Sequence, residues 1–534
     1  MRQKIGREGM AGHIEYPKIP LQGLLEVNAQ KVSGDCAIIF GNRRIPYLEL
    51  DKVCNRFANA LQGLGATKGD RVVLYLPNSP QFVIAYFGVL KAGMVVTAIS
   101  PLQHKREIQH QLGESEAKII VTVDTLYPIV ETVWEKTQLR HAIVIAEESE
   151  TMRVGRESVE TVDFGVFMNS AADSVPDIDV DPETDLAALQ FTGNTTSAAK
   201  AVMLTHHNLV SNALAFAAAI EATGQDVFLS ALPLFHIYGM TTSLTVPISL
   251  GAKIVLLPKF ESTKACEAIQ QHRVTVFCGV PAMYQMLLAD CTFADYDLAS
   301  MRVCISGASS LPLQVQKRFM EVTGGVLVQG YGLTEASPVT HCMPIDRTGV
   351  LRAGSIGQPL ADTEAKIVDL ETGKKPLAKG EIGELSVRGP QVMAGYWHRP
   401  DETACVLCDG WLLTGDIAYV DKDGYFYIVD RKKDLIKHKG YSIYPRELED
   451  ILHEHPAVKL CAVAGVADAA LGEVPKAYVV LKDAVYVSKL ELKEFVNHQV
   501  AGYKAIKEIE FLEYLPLSST GKVLKRFLNL STNI

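Results

Sequence analysis

The sequence predicts an α/β protein. Its large N-terminal domain is expected to contain two parallel-sheet α/β subdomains and a small β-barrel, followed by a small α+β C-terminal domain. Three observations favour this architecture. Apolar strands alternate with amphipathic helices before Gly354, short strands with glycine-rich turns follow, and a compact mixed segment begins after Lys433. We therefore place the domain boundary after residue 432, which gives domains of residues 1–432 and 433–534.

In the N-terminal half, helices and buried strands follow one another with short turns. Apolar residues recur at helical spacing between Val53 and Leu64, and residues 71–76 are typical of a buried strand. The next helix, residues 81–92, is expected to end at Gly93 as its C-terminal cap. Continuous apolar strands between helices indicate parallel sheets covered on both faces. Further strands of this kind are predicted at residues 94–100, 117–124, 141–146, 252–258, 274–280 and 301–307.

The last third of the chain has a different pattern. From Gly354, short alternating strands indicate a small β-barrel or an antiparallel layer, with strands at residues 363–369, 383–389 and 424–430. After Lys433, the pattern predicts helices at residues 445–455 and 488–499 and strands at residues 459–466 and 476–483. This last segment has about 100 residues, the size of a typical small domain.

Composition and charge limit the class of protein. The chain has 534 residues, too many for a single hydrophobic core, and its net charge of -9 argues against a nucleic-acid-binding protein. The ten cysteines are scattered, which favours reduced thiols in the cytoplasm over a disulfide framework. Residues 1–20 lack an apolar core, and no run approaches the roughly 20 apolar residues of a membrane span. We therefore expect neither a secretory signal nor a transmembrane segment.

The stretch FTGNTTSAAKAVMLTHHNL, residues 191–209, indicates a phosphate site. Residues 185–190 are predicted as a strand, and a helix is expected to begin near Thr205. Between them lies a loop of small and hydroxyl-bearing residues followed by Lys200, the general arrangement that holds phosphate. The loop lacks the Walker A pattern, and an ordinary polar loop explains this segment equally well when it is considered alone.

Further motifs follow in order along the chain. Tyr331, Thr334 and Glu335 combine an aromatic ring for a purine, a hydroxyl for phosphate and a carboxylate for Mg²⁺. Asp416 ends a strand, where its carboxylate can accept from both hydroxyls of a ribose. Each motif alone fits a structural turn, but their combination in this order indicates a nucleotide site. The motifs are SGASSLP (306–312), VQGYGLTEASP (328–338), GWLLTGD (410–416), VDRKKDLIKHKGYSIYPRELE (429–449) and LPLSSTGKVLKR (515–526).

Together these motifs resemble the AMP-forming acyl-CoA synthetases of the adenylate-forming superfamily, over nearly the whole chain from about residue 20 to residue 526. The segments PLFHIYGM (233–240), YGLTEASP and KGYSIYPRELE are most similar to fatty-acyl and 4-coumarate CoA ligases. The resemblance implies an enzyme that forms an acyl-adenylate and pyrophosphate from a carboxylic acid and ATP with Mg²⁺. The acyl group then passes to CoA. A fatty acid is the favoured substrate, with an aryl acid as the alternative.

The resemblance also implies roles around the phosphates of ATP. Thr334 is expected to bind the α-phosphate, and Glu335 is expected to bind Mg²⁺. Lys522 is expected to bridge the carboxylate and the α-phosphate, where its charge offsets the repulsion between two anions. The loop that handles the β- and γ-phosphates is expected to consist of Thr192, Gly193, Asn194, Thr195, Thr196, Ser197 and Lys200.

The nucleoside is expected to lie on a second group of residues. By the resemblance, the backbone of Gly307 and Ala308 runs along the adenine, and the ring of Tyr331 stacks on it. Asp416 and Arg431 are expected to contact the ribose.

The resemblance further implies that the C-terminal domain is mobile. Lys433 matches the hinge about which it rotates between the two half-reactions. That rotation withdraws the bridging lysine and brings Lys439, Gly440 and Tyr441 toward the channel for the pantetheine arm of CoA. His236 matches a gate between the acyl pocket and the thiol tunnel, with an ordinary partly buried histidine as the alternative.

The phosphate loop departs from the family pattern T-[SG]-G-T-T-G-x-[PA]-K-G. Asn194, Ser197 and Ala201 replace three glycines. Glycine serves where φ is positive, so we expect strain on the order of 1 kcal/mol at Ser197 or Ala201 if either site requires that conformation. The charged site residues are all retained, which favours an active enzyme with altered loop mobility or ATP affinity.

Two other classes of function remain open at this point. One is a non-catalytic relative that binds nucleotide or acyl-CoA, and the other is an adenylating enzyme that loads the thiol of a carrier protein. The chain carries no attached carrier domain, which favours free CoA as the acceptor. We expect small-molecule partners only, with no nucleic acid. The sequence leaves open a peripheral membrane contact and a homodimer.

Overall fold

The computed structural model describes residues 12–146, 160–169, 171–192, 199–345, 352–438, 441–468, 471–517 and 523–528. These residues form two compact units. The first lies within Met1–Gly193, Ala199–Glu364 and Arg388–Gly410, and the second lies within Asn194–Ala198, Ala365–Val387 and Trp411–Ile534. In the described part of the chain, no helix is both long and apolar enough to cross a bilayer. The domain boundary after residue 432 stays a prediction.

The first unit contains a sheet built largely as the sequence predicts. Its strands run parallel from Leu186–Phe191 to Glu160–Asp163, and two antiparallel strands extend one edge. In spatial order the strands are Gly395–Tyr396, Ala201–Thr205, Leu186–Phe191, Val95–Ala98, Arg71–Tyr75, Ile119–Val123, His141–Ile145 and Glu160–Asp163. The helices in its connections are Tyr47–Gly63, Pro80–Lys91, Lys105–Ser115, Tyr127–Glu131 and Phe164–Asn169.

Local sequence explains where these helices begin and end. Pro80 occupies the first turn of its helix, and the Ser79 hydroxyl accepts the Phe82 N–H as an N-terminal cap. Gly93 has a φ of +68° just beyond the last turn, so the predicted glycine cap is confirmed.

A second sheet of the first unit carries the candidate site. Parallel strands run from Cys36–Phe40 to Val326–Gly332, and antiparallel strands flank them. In spatial order the strands are Ser355–Pro359, Val339–Cys342, Val326–Gly332, Val303–Ser306, Val276–Gly279, Val227–Ser230, Lys253–Leu256, Cys36–Phe40 and Arg43–Pro46. The associated helices are Gly23–Lys31, His206–Ala219, Ile237–Gly239, Val246–Leu250, Ser262–His272, Pro281–Ala289 and Leu313–Thr323, with a π-helical segment at Met240–Thr245.

The apolar runs of this second sheet are buried on both faces. Val276 and Cys278 pack in one hydrophobic cluster, while Phe277 between them packs in another. Since successive strand residues point to opposite faces, the two clusters lie on opposite sides of the sheet. The prediction of parallel sheets covered on both faces is therefore confirmed for its central strands.

The second unit contains a layer of strands and a smaller sheet. The layer consists of Glu364–Val368, Gly383–Arg388, Trp411–Val420 and Phe426–Arg431. The smaller sheet contains Tyr441–Ile443, Ile436–His438, Gly472–Leu481 and Val458–Asp468, with Glu508–Phe511 parallel to Gly472–Leu481. Its helices, Pro445–Glu454 and Lys489–Asn497, bury Leu448, Leu452, Leu492 and Val496 in one core with these strands.

Remaining short elements occur in the connections. Helix Pro400–Val406 and strand Leu407–Cys408 belong to the first unit. The 3₁₀ helices are Trp134–Lys136, Phe293–Asp295, Thr334–Ala336, Lys432–Asp434, Gly502–Lys504 and Lys525–Phe527.

One sequence prediction misses an element. We expect a strand, a loop and then a helix across residues 185–209, but Ala201–Thr205 forms a further strand antiparallel to Leu186–Phe191. Thr205 then caps helix His206–Ala219, because its hydroxyl accepts the Asn208 N–H and the Asn208 side chain accepts the Thr205 N–H. The candidate phosphate loop is therefore followed by a strand antiparallel to the one before it, and not directly by a helix.

Candidate active site

The carboxyl ends of two parallel strands bring several of the predicted site residues together. Strands Val303–Ser306 and Val326–Gly332 pair with Ser306 opposite Gln329, so Gly307 and Tyr331 follow at the same edge of the sheet. In open α/β sheets, ligands bind outside the carboxyl ends of the strands. The structure therefore brings Gly307, Ala308, Tyr331, Thr334 and Glu335 to one edge of the first unit, and their roles there stay predictions.

The backbone at Gly307 and Ala308 is shaped by its neighbours. A Cβ atom on Gly307 would lie 2.8 Å from the ring of Tyr238, so this position requires glycine. The Tyr238 hydroxyl donates to the carbonyls of Gly279 and Ile305 at 3.2 and 3.3 Å, which fixes that ring. Ala308 has a φ of +70°, a strained conformation of the kind that clusters at ligand sites. Both observations fit a backbone that a flat ligand approaches closely.

Tyr331 is held against a buried histidine. Its ring makes an edge-to-face contact with His341, with centroids 5.9 Å apart at 68°. The two residues are direct cross-strand partners, which sets this geometry. His341 is fully buried, and that burial lowers its pKa to about 3, so the imidazole beside Tyr331 is neutral at pH 7.

His236 stands at the start of a helix. Its Nδ1 accepts the backbone N–H of Tyr238 at 3.2 Å, so His236 acts as an N-terminal cap for helix Ile237–Gly239. Burial lowers the pKa of His236 to about 4. The π-helical segment Met240–Thr245 follows, and such segments occur frequently at functional sites. A neutral, oriented imidazole is compatible with the predicted gate, which stays a prediction.

Two amides that sequence reasoning missed position the segment before His236. Asn78 donates to the Leu232 carbonyl at 2.9 Å and accepts the Leu234 N–H at 2.8 Å. Gln190 donates to the Phe235 carbonyl at 2.9 Å. Asn78 follows strand Arg71–Tyr75, and Gln190 lies at the end of strand Leu186–Phe191, both in the other sheet of the first unit. The two amides therefore join an edge of that sheet to the segment before His236. Within the sequence, an amide after a strand is too common to identify them.

Lys200 and Glu335 both contact the side chain of Tyr396. Tyr396 connects the two, because its hydroxyl donates to Glu335 Oε1 at 2.9 Å and the Lys200 ammonium lies 4.7 Å from its ring centroid. Burial is the main cause that raises the pKa of Tyr396, and the Glu335 carboxylate is the next, so the hydroxyl stays protonated. Lys200 also forms an ion pair with Glu402. Sequence reasoning missed both Tyr396 and Glu402.

The base of the candidate phosphate loop is closed by hydrogen bonds. The Thr192 N–H donates to the Lys200 carbonyl at 3.0 Å, directly beyond the cross-strand pair of Phe191 and Ala201. His110 lies with its Nε2 3.0 Å from the Ala199 carbonyl on the outgoing side. The loop residues Gly193, Asn194, Thr195, Thr196 and Ser197 lie outside the described residues.

Ala201 does not require the positive φ on which the expected strain depends. Ala201 lies in an extended strand opposite Phe191, and its side chain is fully buried with Val95 and Leu189. An extended backbone needs no glycine, and the methyl group fills the core beneath the hairpin. The substitution of glycine by alanine at this position therefore has no conformational cost.

The remaining predicted residues belong to the second unit. Arg431 and Asp416 are cross-strand partners joined by an ion pair of 2.6 Å, and Asp416 is buried. Lys433 lies in the 3₁₀ helix Lys432–Asp434. Tyr441 is exposed and stacks on Tyr503 with centroids 4.8 Å apart. Lys439, Gly440 and Lys522 lie outside the described residues.

Comparison with known proteins decides the family. The pattern of the AMP-binding enzyme family matches residues 25–397, and that of the AMP-binding enzyme C-terminal domain matches residues 447–522. This protein belongs to the AMP-binding enzymes.

Several relatives of this AMP-binding enzyme match it over almost their whole length. A long-chain-fatty-acid–CoA ligase from Bacillus subtilis is 40% identical over 96% of this chain and 95% of its own. A 4-coumarate–CoA ligase from Vanilla planifolia is 33% identical over 96% of this chain and 94% of its own. The crystal structure of the anthranilate CoA ligase AuaEII with anthranoyl-AMP has a TM-score of 0.87 at 27% identity, with 97% of each chain covered. The predicted superfamily and α/β fold are confirmed.

Glu335 is suited to share a magnesium ion with a nucleotide. Among the described residues, no group of three or more His, Cys, Asp or Glu side chains is arranged to hold a metal by itself. Mg²⁺ is usually bound by one or two carboxylates together with substrate phosphates. In this AMP-binding enzyme, Tyr396 orients one oxygen of Glu335 and Lys200 lies on the same ring. The residues therefore fit a magnesium ion that arrives with ATP.

Three histidines of the first unit should make the AMP-binding enzyme sensitive to acid. Burial lowers the pKa of His206 and His236 to about 4 and that of His341 to about 3. The unfolded chain binds these protons at about pH 6.5, so stability falls as pH drops through that value. We expect each histidine to account for a loss of roughly 2 kcal/mol in unfolding free energy between pH 7 and pH 5.

Urea unfolding at pH 7 and pH 5 measures this loss. His206 is the residue to replace, because its Nδ1 accepts the Leu21 N–H at 3.0 Å and a glutamine amide oxygen can accept the same bond. His206→Gln should lower stability at pH 7 but reduce the additional loss at pH 5. An unchanged pH dependence in the variant would contradict the assignment.

Proposed function

We propose that this protein is an AMP-forming acid–CoA ligase. It converts a carboxylic acid, ATP and CoA into acyl-CoA, AMP and pyrophosphate through an acyl-adenylate. The observation that supports this most directly is the meeting of Lys200 and Glu335 on Tyr396 at the carboxyl edge of the sheet. The relatives that match the whole chain are themselves named CoA ligases.

The described residues support separate roles in the first half-reaction. Lys200 binds the β- and γ-phosphates, while Glu335 holds the magnesium ion that neutralises them. Thr334 binds the α-phosphate. The strained backbone at Ala308 and the oriented ring of Tyr331 take up the adenine. Preorganised groups of this kind stabilise developing charge without reorganising during the reaction.

In the second half-reaction, we infer that residues 433–534 rotate about Lys433. Lys522 leaves the site, and Lys439, Gly440 and Tyr441 line the path of CoA. Arg431 holds Asp416 through an ion pair, and we infer that the carboxylate of Asp416 contacts the ribose. Residues 433–534 contain a hydrophobic core of their own, in which Leu448, Leu452 and Val463 are buried between strands and helices. A segment with its own core can move as a body.

A fatty acid is the favoured substrate. The Bacillus subtilis relative is named for long-chain fatty acids and is more similar than the 4-coumarate relative, at 40% against 33% identity. Tyr238, which packs against Gly307, belongs to a buried apolar cluster that also contains Val280 and Ile305. Apolar surroundings of this kind suit an aliphatic chain, while an aryl acid is the second candidate.

We place the enzyme in the cytoplasm. All ten cysteines of the chain are free thiols, and five of the most buried ones, Cys54, Cys266, Cys278, Cys304 and Cys342, have pKa values raised by burial. Free thiols are the usual state in a reducing compartment. A homodimer and a peripheral membrane contact remain compatible with this placement.

Exchange of pyrophosphate into ATP tests the proposal. We expect exchange that requires an acid, measured across a panel of fatty and aryl acids, with the highest rate for a fatty acid. Product formation that requires free CoA then distinguishes the ligase from an enzyme that loads a carrier protein. Binding of ATP without exchange for any acid would contradict the ligase and favour a binding protein.

Restoring glycines in the loop should alter the handling of ATP. We expect Asn194→Gly combined with Ser197→Gly to change the KM for ATP or the rate of pyrophosphate release, with little effect on acid preference. This loop is expected to contact the departing phosphates rather than the acyl group. Ala201→Gly is the matched control, because it should cost about 1 kcal/mol of stability in a strand without changing the KM for ATP. Identical ATP kinetics in the double variant would show that these glycines are dispensable.

A further inference from the structure

The lysine assigned to phosphate already has a carboxylate partner. The Lys200 ammonium forms an ion pair with Oε2 of Glu402, which lies in helix Pro400–Val406 of the same unit. The side chains of Lys200 and Glu402 are 18% and 39% exposed, so the pair is within reach of solvent and of an incoming ligand. A carboxylate and a nucleotide phosphate bind an ammonium through the same kind of oxygen.

Glu402 has a second cation that does not depend on Lys200. Its other oxygen, Oε1, accepts from Arg399 Nη1 at 2.8 Å. Arg399 is in turn bonded through Nε to Glu114 Oε1 at 2.9 Å. The hydrogen bond from Lys200 is the main cause that lowers the pKa of Glu402, and the one from Arg399 is the next, so the carboxylate is ionised at pH 7. If Lys200 departs, Glu402 therefore keeps a charged partner.

The backbone holds Glu402 in place beside the hairpin. The Thr403 hydroxyl accepts the Tyr396 N–H at 2.9 Å and donates to the Arg399 carbonyl at 2.8 Å. Tyr396 pairs with Val202 on the outgoing strand of the hairpin. The helix that carries Glu402 is thus tied, through Thr403 and Tyr396, to the strand that begins directly after Lys200.

We propose that Glu402 competes with the phosphates of ATP for Lys200. Before ATP binds, Glu402 keeps the ammonium over the Tyr396 ring. When ATP binds, Lys200 transfers to the β- and γ-phosphates, and Glu402 remains paired with Arg399. This inference rests on the proposed function, because it needs Lys200 to contact the terminal phosphates. It makes Glu402 a positioning residue that weakens the binding of ATP and leaves the binding of AMP unaffected.

Equilibrium binding of ATP and of AMP to the full chain tests this competition. We expect Glu402→Gln to bind ATP about threefold more tightly than the wild type, the equivalent of one partly exposed ion pair. The affinity for AMP should be unchanged, since AMP lacks the phosphates that contact Lys200. A general loss of structure would weaken both nucleotides alike.

Asp401 provides the matched control. It is an exposed carboxylate in the same helix, one residue from Glu402. Asp401→Asn removes the same charge, so a long-range electrostatic effect should appear in both variants. We expect its ATP affinity to equal that of the wild type. If Glu402→Gln destabilises the fold, Glu402→Asp serves instead, because shortening the side chain weakens the contact while keeping the charge.

Several outcomes would overturn the competition. These are an unchanged or weaker ATP affinity in Glu402→Gln, an equal gain for AMP, or an equal gain in Asp401→Asn. Failure of the proposed function has a different signature. In that case the wild type binds no ATP, or Lys200→Ala binds ATP as tightly as the wild type does.

Discussion

Replacing Lys522 with alanine should nearly abolish formation of the acyl-adenylate and spare thioester formation from a supplied acyl-adenylate and CoA. Attack of a carboxylate on the α-phosphate brings two anions together, and a lysine between them offsets that repulsion. The loss of one such preorganised group costs about 100-fold to 1000-fold in rate. The proposed rotation withdraws the lysine before thioester formation, so it has no anion to stabilise in that step. The two half-reactions should therefore separate cleanly.

Pyrophosphate exchange measures the first half-reaction, and release of AMP from a synthetic acyl-adenylate with CoA measures the second. Lys522→Arg is the matched control, because it retains the charge and should keep part of the adenylation rate. Equal losses in both half-reactions would show that Lys522 acts in both conformations, contrary to the assignment. Unimpaired exchange in Lys522→Ala would remove it from the adenylation site.

The parallel strands were predictable because each is a continuous apolar run between helices. Residues 301–307 contain the observed strand Val303–Ser306, and residues 274–280 contain Val276–Gly279. The strand Ala201–Thr205 escaped prediction for a physical reason. Its five residues run directly into a capping box at Thr205, and only pairing with Leu186–Phe191 defines it as a strand. Such pairing is a tertiary property that local patterns do not contain.

The candidate site was predictable where one motif carries several of its residues. Tyr331, Thr334 and Glu335 lie within five positions of each other, so one turn places them together. Tyr396 contacts Glu335 from 61 positions away, and Glu402, in the helix that follows Tyr396, contacts Lys200. Nothing near Tyr396 in the sequence marks it as a partner for a carboxylate. Contacts of this kind depend on how the hairpin and the sheet edge meet.

Replacing Lys433 with proline should impair CoA transfer while adenylate formation survives. The residue lies in the 3₁₀ helix Lys432–Asp434, and proline confines φ to about −65°. The proposed rotation about Lys433 requires a large change of its backbone angles, which proline opposes. We expect the rate of thioester formation to fall about tenfold or more, a rise in its barrier of about 1.4 kcal/mol. The same acyl-adenylate and exchange assays measure both steps.

Lys433→Ala separates the effect of the backbone from that of the side chain. Alanine removes the same ammonium group but leaves φ free, so both half-reactions should proceed close to the wild-type rates. A loss of CoA transfer that proline causes and alanine does not must come from the backbone at this position. Comparable losses in the two variants would assign the effect to the side chain of Lys433. Full activity of Lys433→Pro in both steps would place the pivot elsewhere in the chain.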